Sequence, residues 1–334
     1  MAVVEGGASY RGGRRVCSPP VSHPVVSSLF PVVLLILAGL FAGRRQWVGA
    51  AAVKDLSNLV FYLLAPALLF RALVVAPPGS FDLLPVLAYF GGAGLIFFAT
   101  LWRCGFGRRA TVLAMAGTYS NAVMIGIPLI GLAYGEPGLV ALLALISLHS
   151  VVLLTSATLA IELAVARETG QPGAPPRLLQ TLRQAVVKTL VHPVPLPILA
   201  GVLWAQTGLG LAPLVDKTLL LLGQAFAPLA LVMVGVTLSH NRLAGQWRGA
   251  LALALAKNLL HPALVWCFAV LLGVQGMART VIVVAAALPI GANVFLFSQR
   301  YRVAEAQVTA AVGVSTLLAL ATVSLVMALM GLPA

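Results

Sequence analysis

Uncharged, apolar runs long enough to cross a lipid bilayer recur along this chain, and they decide its class before any motif is considered. A helix needs about 20 apolar residues to span the hydrocarbon core, and residues 110 to 135 alone make 26 without a charge. The 334 residues are 60% hydrophobic and 9% charged, with a mean hydropathy of +1.03, which soluble domains do not reach. The pattern predicts an all-α integral membrane protein of ten transmembrane helices, at 25–42, 56–75, 83–101, 110–133, 138–165, 187–207, 214–238, 249–272, 280–299 and 306–331. Pro/Gly turns such as Pro77-Pro78-Gly79 and Tyr134-Gly135-Glu136-Pro137, or basic clusters, separate most neighbours.

The net charge of +13 would suit a nucleic acid, but the placement of the charges argues for an orienting role instead. With an outside N-terminus and ten spans, 14 of the 21 basic residues fall in inner loops, among them Arg44, Arg45, Lys54, Arg103, Arg108, Arg109, Arg300 and Arg302. This positive-inside bias predicts an inner-membrane protein with both termini extracytoplasmic and no nucleic-acid partner. Residues 1–24 are rich in Gly, Pro and Arg and read as a disordered extension. Cys17, Cys104 and Cys267 are too widely spaced for a disulfide framework or a zinc site. No metalloprotease, hydrolase or phosphate-loop motif occurs, and Glu162 is the one acid placed clearly within a span. An enzyme is therefore not expected, and neither is a cofactor.

The chain reads as doubled. "LLAPALLF" (63–70) in span two and "AFAPLALV" (225–232) in span seven share a central Ala-Pro, 162 residues apart. "YSNAVMIGIP" in span four and "LPIGANVFLFS" in span nine each combine Asn, Gly and Pro, with Asn121 and Asn293 172 residues apart. Both pairs lie five spans apart, so the second copy is upside down. The expectation is an inverted five-plus-five repeat, with a first unit at 25–165, a cytoplasmic linker at 166–186 and a second unit at 187–331. Matched interruptions in two inverted halves point to the binding site of a secondary transporter. By the 1.5 Å helical rise, Asn121, His149 and Asn293 lie about 17–20 Å into their spans, near the midplane.

Chain breaks are expected at Gly126 and Pro128 in span four and at Pro289 and Gly291 in span nine. Backbone groups freed at membrane depth persist only where they line a protein-enclosed cavity. Half-helix N-termini there offer partial positive charge to an anion, and Ser120, Asn121 and Asn293 add neutral polar groups. The alternative is that these residues only join helices by hydrogen bonds.

The segments "PLPILAGVLWAQTGLGLAPLVDKTLLLLGQAFAPLALVMVGVTLS", "KNLLHPALVW" and "ALPIGANVFLFSQRYRV" resemble the auxin efflux carrier family, which includes plant PIN carriers and bacterial malate and malonate permeases. The resemblance covers about residues 27 to 331 and is more specific in the second half. It implies a fold like that of bile-acid symporters, with broken spans four and nine crossing at the middle. It also implies that spans three to five and eight to ten move against a scaffold of spans one, two, six and seven. The linker is far shorter than the long hydrophilic loop of the larger plant carriers.

The expected activity is alternating-access transport of a small organic anion: a mono- or dicarboxylate or an auxin-like acid. A sodium-coupled symporter of the bile-acid type is the alternative, with a membrane-embedded enzyme behind it. His149 is either a proton-linked contact or a neutral histidine between helices. Arg71 either attracts the anion or extends to the outer interface. Lys257 is a coupling site, the partner of an acid, or a side chain extending toward the cytosol, and the last reading is favoured. Glu162 and His261-Pro262 are assigned to packing. Coupling ion and oligomeric state stay open, a homodimer included.

Overall fold

The computed structural model describes residues 24–76, 82–169, 193–240 and 246–331, with five more between 180 and 187. The extension at 1–23 and most of the linker lie outside the described residues. Within them the structure is helical, apart from one antiparallel bridge between Ser120 and Ile290. Helix α1 is Pro24–Arg44. Helix α2, Ala50–Leu59, runs through a π turn, Val60–Leu64, into α3, Ala65–Val74, and α4 is Leu84–Cys104. Helix α5, Arg108–Thr118, ends at a break; a π turn, Ala122–Gly126, then leads into α6, Ile127–Thr169, which bends at Gly135 (φ 63°). Helices α7, Pro195–Gln206, and α8, Pro213–His240, follow. Helix α9, Trp247–Leu255, continues through a third π turn, Ala256–Leu260, into α10, His261–Leu271. Helices α11, Gly276–Ala287, and α12, Ala292–Tyr301, flank the second break, and α13, Glu305–Met330, comes last.

Six of the described helical segments are long and apolar enough to cross a membrane: 51–74, 84–104, 122–168, 213–240, 247–271 and 305–330. The remaining expected spans fall on shorter apolar helices (29–44, 195–206 and 276–287) or on halves of interrupted ones. The bend at Gly135 separates two segments that are otherwise continuous.

Each π turn ends two residues before a proline: Pro66, Pro128 and Pro262. Proline in a regular helix removes a hydrogen bond, and its ring collides with the carbonyl four residues back. A widened turn relieves that collision, because Ala65, Ile127 and His261 donate instead to the carbonyls of Val60, Ala122 and Ala256, five residues back. The chain thus passes through Gly126 and Pro128 as helix. This corrects the expected site of interruption in span four, which falls instead at Tyr119–Asn121.

Helices α1 and α8 pack closely and in parallel. A Cβ on Gly39 would lie 1.9 Å from the Val232 carbonyl oxygen, and one on Gly235 would lie 2.0 Å from that of Ile36. In lipid, where tails are as apolar as leucine, such backbone approach lets dispersion hold helices together. Gly39 meets Val232 and Gly43 meets Ser239, so Arg44 and His240 share one end of the protein. Arg108 with Glu168 (2.7 Å) and Arg109 with Gln307 (2.9 Å) mark the same, basic end. At the other end Arg71 Nε donates to Asp216 Oδ1 (2.7 Å), and Glu136 lies 3.8 Å from its guanidinium. Replacing Gly39 by Ala should destabilise the protein by about 1–3 kcal/mol through overpacking. Gly94→Ala, with nothing within 4 Å of the new methyl, should leave the Tm unchanged. Equal Tm values for the two variants in detergent would contradict this packing.

Candidate functional site

The two chain breaks lie against each other. The Asn121 amide donates to the Pro289 carbonyl at 2.8 Å, and the Gly291 amide donates to the Tyr119 carbonyl at 3.0 Å. Ile290 N–H is taken by Ser315 Oγ (3.0 Å) and Ser120 N–H by His149 Nε2 (3.4 Å). The amides of the breaks are therefore largely satisfied by protein, rather than left for a ligand as the sequence suggested. The donors facing a ligand are the first turns of the helices that follow, Ala122–Met124 and Ala292–Asn293, whose leading amides have no acceptor inside their own helix. Glycine is required at 291: a Cβ there would stand 2.8 Å from the Tyr119 ring and 3.1 Å from the Ser120 carbonyl.

Around the crossing lies a cavity of about 440 Å³. Asn121, Asn293, Ser120, Gly291 and His149 all line it, as do Tyr119 and Ser150. Four expected site residues stand elsewhere. Gly126 packs toward Leu288 and Pro128 lies within the helix that follows the π turn. Pro289 contributes its carbonyl to the crossing while its side borders a small apolar crevice with Leu29 and Val32. Arg71 is at the far end, bound to Asp216.

Hydroxyl groups that the sequence reading passed over organise the wall. Tyr119 OH accepts a hydrogen bond from Asn293 Nδ2 (2.6 Å) and is paired with Ser150 Oγ (2.6 Å). Tyr89 OH is shared between Ser120 Oγ (2.8 Å) and His149 Nε2 (3.1 Å). The His149 ring stacks edge-on to Tyr119, with centroids 4.5 Å apart. Tyr119 is visible beside Ser120 in the polar centre of span four, and Ser150 beside His149. Tyr89 carries no such sequence signal, because its partners come from helices 31 and 60 residues away. Glu162, assigned to packing, accepts from Tyr301 OH at 3.1 Å.

The remaining lining locates the opening. Val53 and Ser57 come from the start of α2, Thr237 and Leu238 from the end of α8, and Leu296 from α12. These all lie toward the basic end. Ala292 is exposed and Asn121 and Asn293 are half-buried despite their position at the breaks, so the cavity is open rather than sealed. Among the described residues, no Lys, Arg, Asp or Glu lines it. Hydroxyls, two amides, one imidazole and two helix N-termini can hold an anion without a fixed counter-charge.

Tyr119→Phe removes a partner from both Asn293 and Ser150. The expected loss is about 1–3 kcal/mol of stability, measured as a lowered Tm or a reduced denaturant midpoint; an unchanged value would mean that these hydrogen bonds do not form.

A family model described as "Membrane transport protein" matches residues 24–327. The chain is also 29% identical over 312 residues to a Rhizobium meliloti protein named "Putative malonate transporter", covering 90% of this chain and 94% of that one. These matches indicate a multi-pass membrane transporter rather than an enzyme. The chain belongs to the membrane transport protein family, the auxin efflux carrier family that its sequence resembles.

Proposed function

We propose that the chain carries a small organic carboxylate across the membrane by alternating access, and that the crossing of the two breaks is its substrate site. One observation carries this reading: Asn121, Asn293 and the first turns of two helices face a single cavity that contains no fixed charge. The helix N-termini and amides grip the carboxylate, and the apolar wall, which includes Ile146, Met233 and Val234, accommodates the rest of the molecule. The relative named as a malonate transporter favours a short dicarboxylate as the first acid to test.

The inverted five-plus-five architecture gives the motion. In this reading two halves of opposite orientation meet at Ser120 and Ile290, and the antiparallel pairing there supports an inverted repeat. Helices α4 to α6 and α9 to α13 form the mobile unit in this reading, and α1 to α3, α7 and α8 the scaffold. With the basic end in the cytosol, the cavity opens inward, and Arg71, Asp216 and Glu136 close the outer side. A proton is the proposed coupling ion; His149, which faces the cavity, is one group positioned to respond to it.

Asn121→Ala and Asn293→Ala should each weaken carboxylate binding by about 1–3 kcal/mol, roughly five- to 150-fold in affinity. Ligand-induced thermal stabilisation of purified protein, measured against malonate, malate, short monocarboxylates and indole acetate, reads this out. Because the two amides contact one ligand, losses in the double variant should be non-additive. Normal binding by both single variants would refute the site. Orientation has its own check: with Cys17 and Cys267 replaced, Cys104, which is exposed, should react with an impermeant maleimide in inside-out vesicles and not in intact cells. The reverse pattern would invert the topology.

A further inference from the structure

Next to the crossing, outside the cavity lining, a second polar cluster is sealed in the interior. Lys257, in the π turn Ala256–Leu260, is 0% exposed. Its Nζ donates to the carbonyls of Ala286 (2.6 Å) and Leu288 (2.7 Å) at the C-terminal end of α11. Those carbonyls lack partners inside the helix and carry the negative end of its dipole. This corrects the favoured reading that Lys257 extends toward the cytosol, and it also excludes pairing with an acid: no Asp, Glu or Arg is buried among the described residues.

His261, four residues on, is equally buried, and neither of its ring nitrogens has a hydrogen-bond partner among the described residues. A buried polar group left unpaired is unfavourable and needs a reason. Packing alone would be better served by an apolar side chain of similar size. The Tyr89 ring connects this cluster to the cavity, with its centroid 5.0 Å from that of His261 and 5.6 Å from that of His149. Its hydroxyl bonds Ser120 and His149, both of which line the cavity.

We propose that Lys257 and His261 form a one-proton site that is occupied together with the anionic substrate, so that the protein is a proton–carboxylate symporter. The proposal rests on the carboxylate reading above. The groups facing the cluster are Tyr89 from α4, His149 from α6 and the carbonyls of α11, with Tyr119 from the first break against His149; helix α13 presents the Ser315 carbonyl and the Thr322 hydroxyl to Asn258. With no carboxylate among them, one positive charge has no ionic compensation in the ligand-free protein. A second would repel it at close range, so the cluster holds a single proton shared between its members. The substrate anion supplies the missing charge. For unit charges about 10 Å apart at an effective dielectric near 20, such an attraction corresponds to roughly a tenfold gain in proton affinity. Linkage makes the gain reciprocal: the proton strengthens anion binding by the same factor.

Isothermal titration of purified wild-type protein with malonate, in two buffers of different ionisation enthalpy, measures the protons taken up on binding; indole acetate serves as a second probe. A tenfold coupling shifts the site's midpoint by about one pH unit, so uptake should peak at about half a proton per bound acid just above the free site's midpoint and fade at higher pH, with Kd weakening about tenfold as pH rises. In Lys257→Met the uptake and the pH dependence should vanish while binding at high pH persists. His261→Gln keeps polarity but cannot titrate, and serves where the methionine variant fails to fold; it should lower the uptake and shift the pH profile. Binding of either acid with no proton uptake would overturn the proposal and leave the substrate reading intact. Uptake unchanged in both variants would overturn the assignment of the site. No binding of either acid would overturn the carboxylate reading, and the proposal with it.

Discussion

Two reciprocal hydrogen bonds, Asn121 N–H to the Pro289 carbonyl and Gly291 N–H to the Tyr119 carbonyl, make the rest of the structure admissible. A break in a transmembrane helix exposes backbone groups where no water can satisfy them, at several kcal/mol for each one left bare. Here each break supplies the partners that the other lacks. Ser315 and His149 take the two amides that remain between them. Neither break is tolerable alone, so the two halves of the chain are bound to meet at this point.

Charge is sorted by the crossing without any carboxylate. Two helices begin at the breaks and turn their N-terminal ends, positive in partial charge, toward the cavity. Two helices end there, and their carbonyls face a different set of groups. Lys257 Nζ caps the end of α11, and Tyr89 OH approaches Thr118 O at the end of α5 at 3.5 Å. The two breaks are therefore unlike in chemistry: each turns a helix N-terminus toward the cavity, while the buried amine sits on one side only.

Much of the cavity lining is legible in the sequence because backbone breaks and polar side chains stand out against an apolar background. Depth and matched spacing mark Asn121 and Asn293, depth marks His149, polarity marks Ser120, and Gly291 stands near a proline. Span four misled where span nine did not. Pro289 lies in its break, whereas Pro128 is carried through helix by the π turn before it. A sequence shows the proline but not how the preceding turn absorbs it. Arg71 and Lys257 show the complementary limit. Each is a lone cation in an apolar run, yet one pairs with Asp216, 145 residues on, and the other with carbonyls 29 and 31 residues away. Only the tertiary arrangement separates the two outcomes, and the partners of Tyr89 were hidden for the same reason.

The central claim is that the cavity at the crossing holds the substrate and opens to the basic, cytosolic end. Thr237 lines its mouth and is exposed. In a variant whose only cysteine is Thr237→Cys, reaction with a charged methanethiosulfonate should be fast in inside-out vesicles. It should be slow from the outer face and retarded by a bound carboxylate. Equal reaction from both faces, or a rate that no carboxylate alters, would contradict the account.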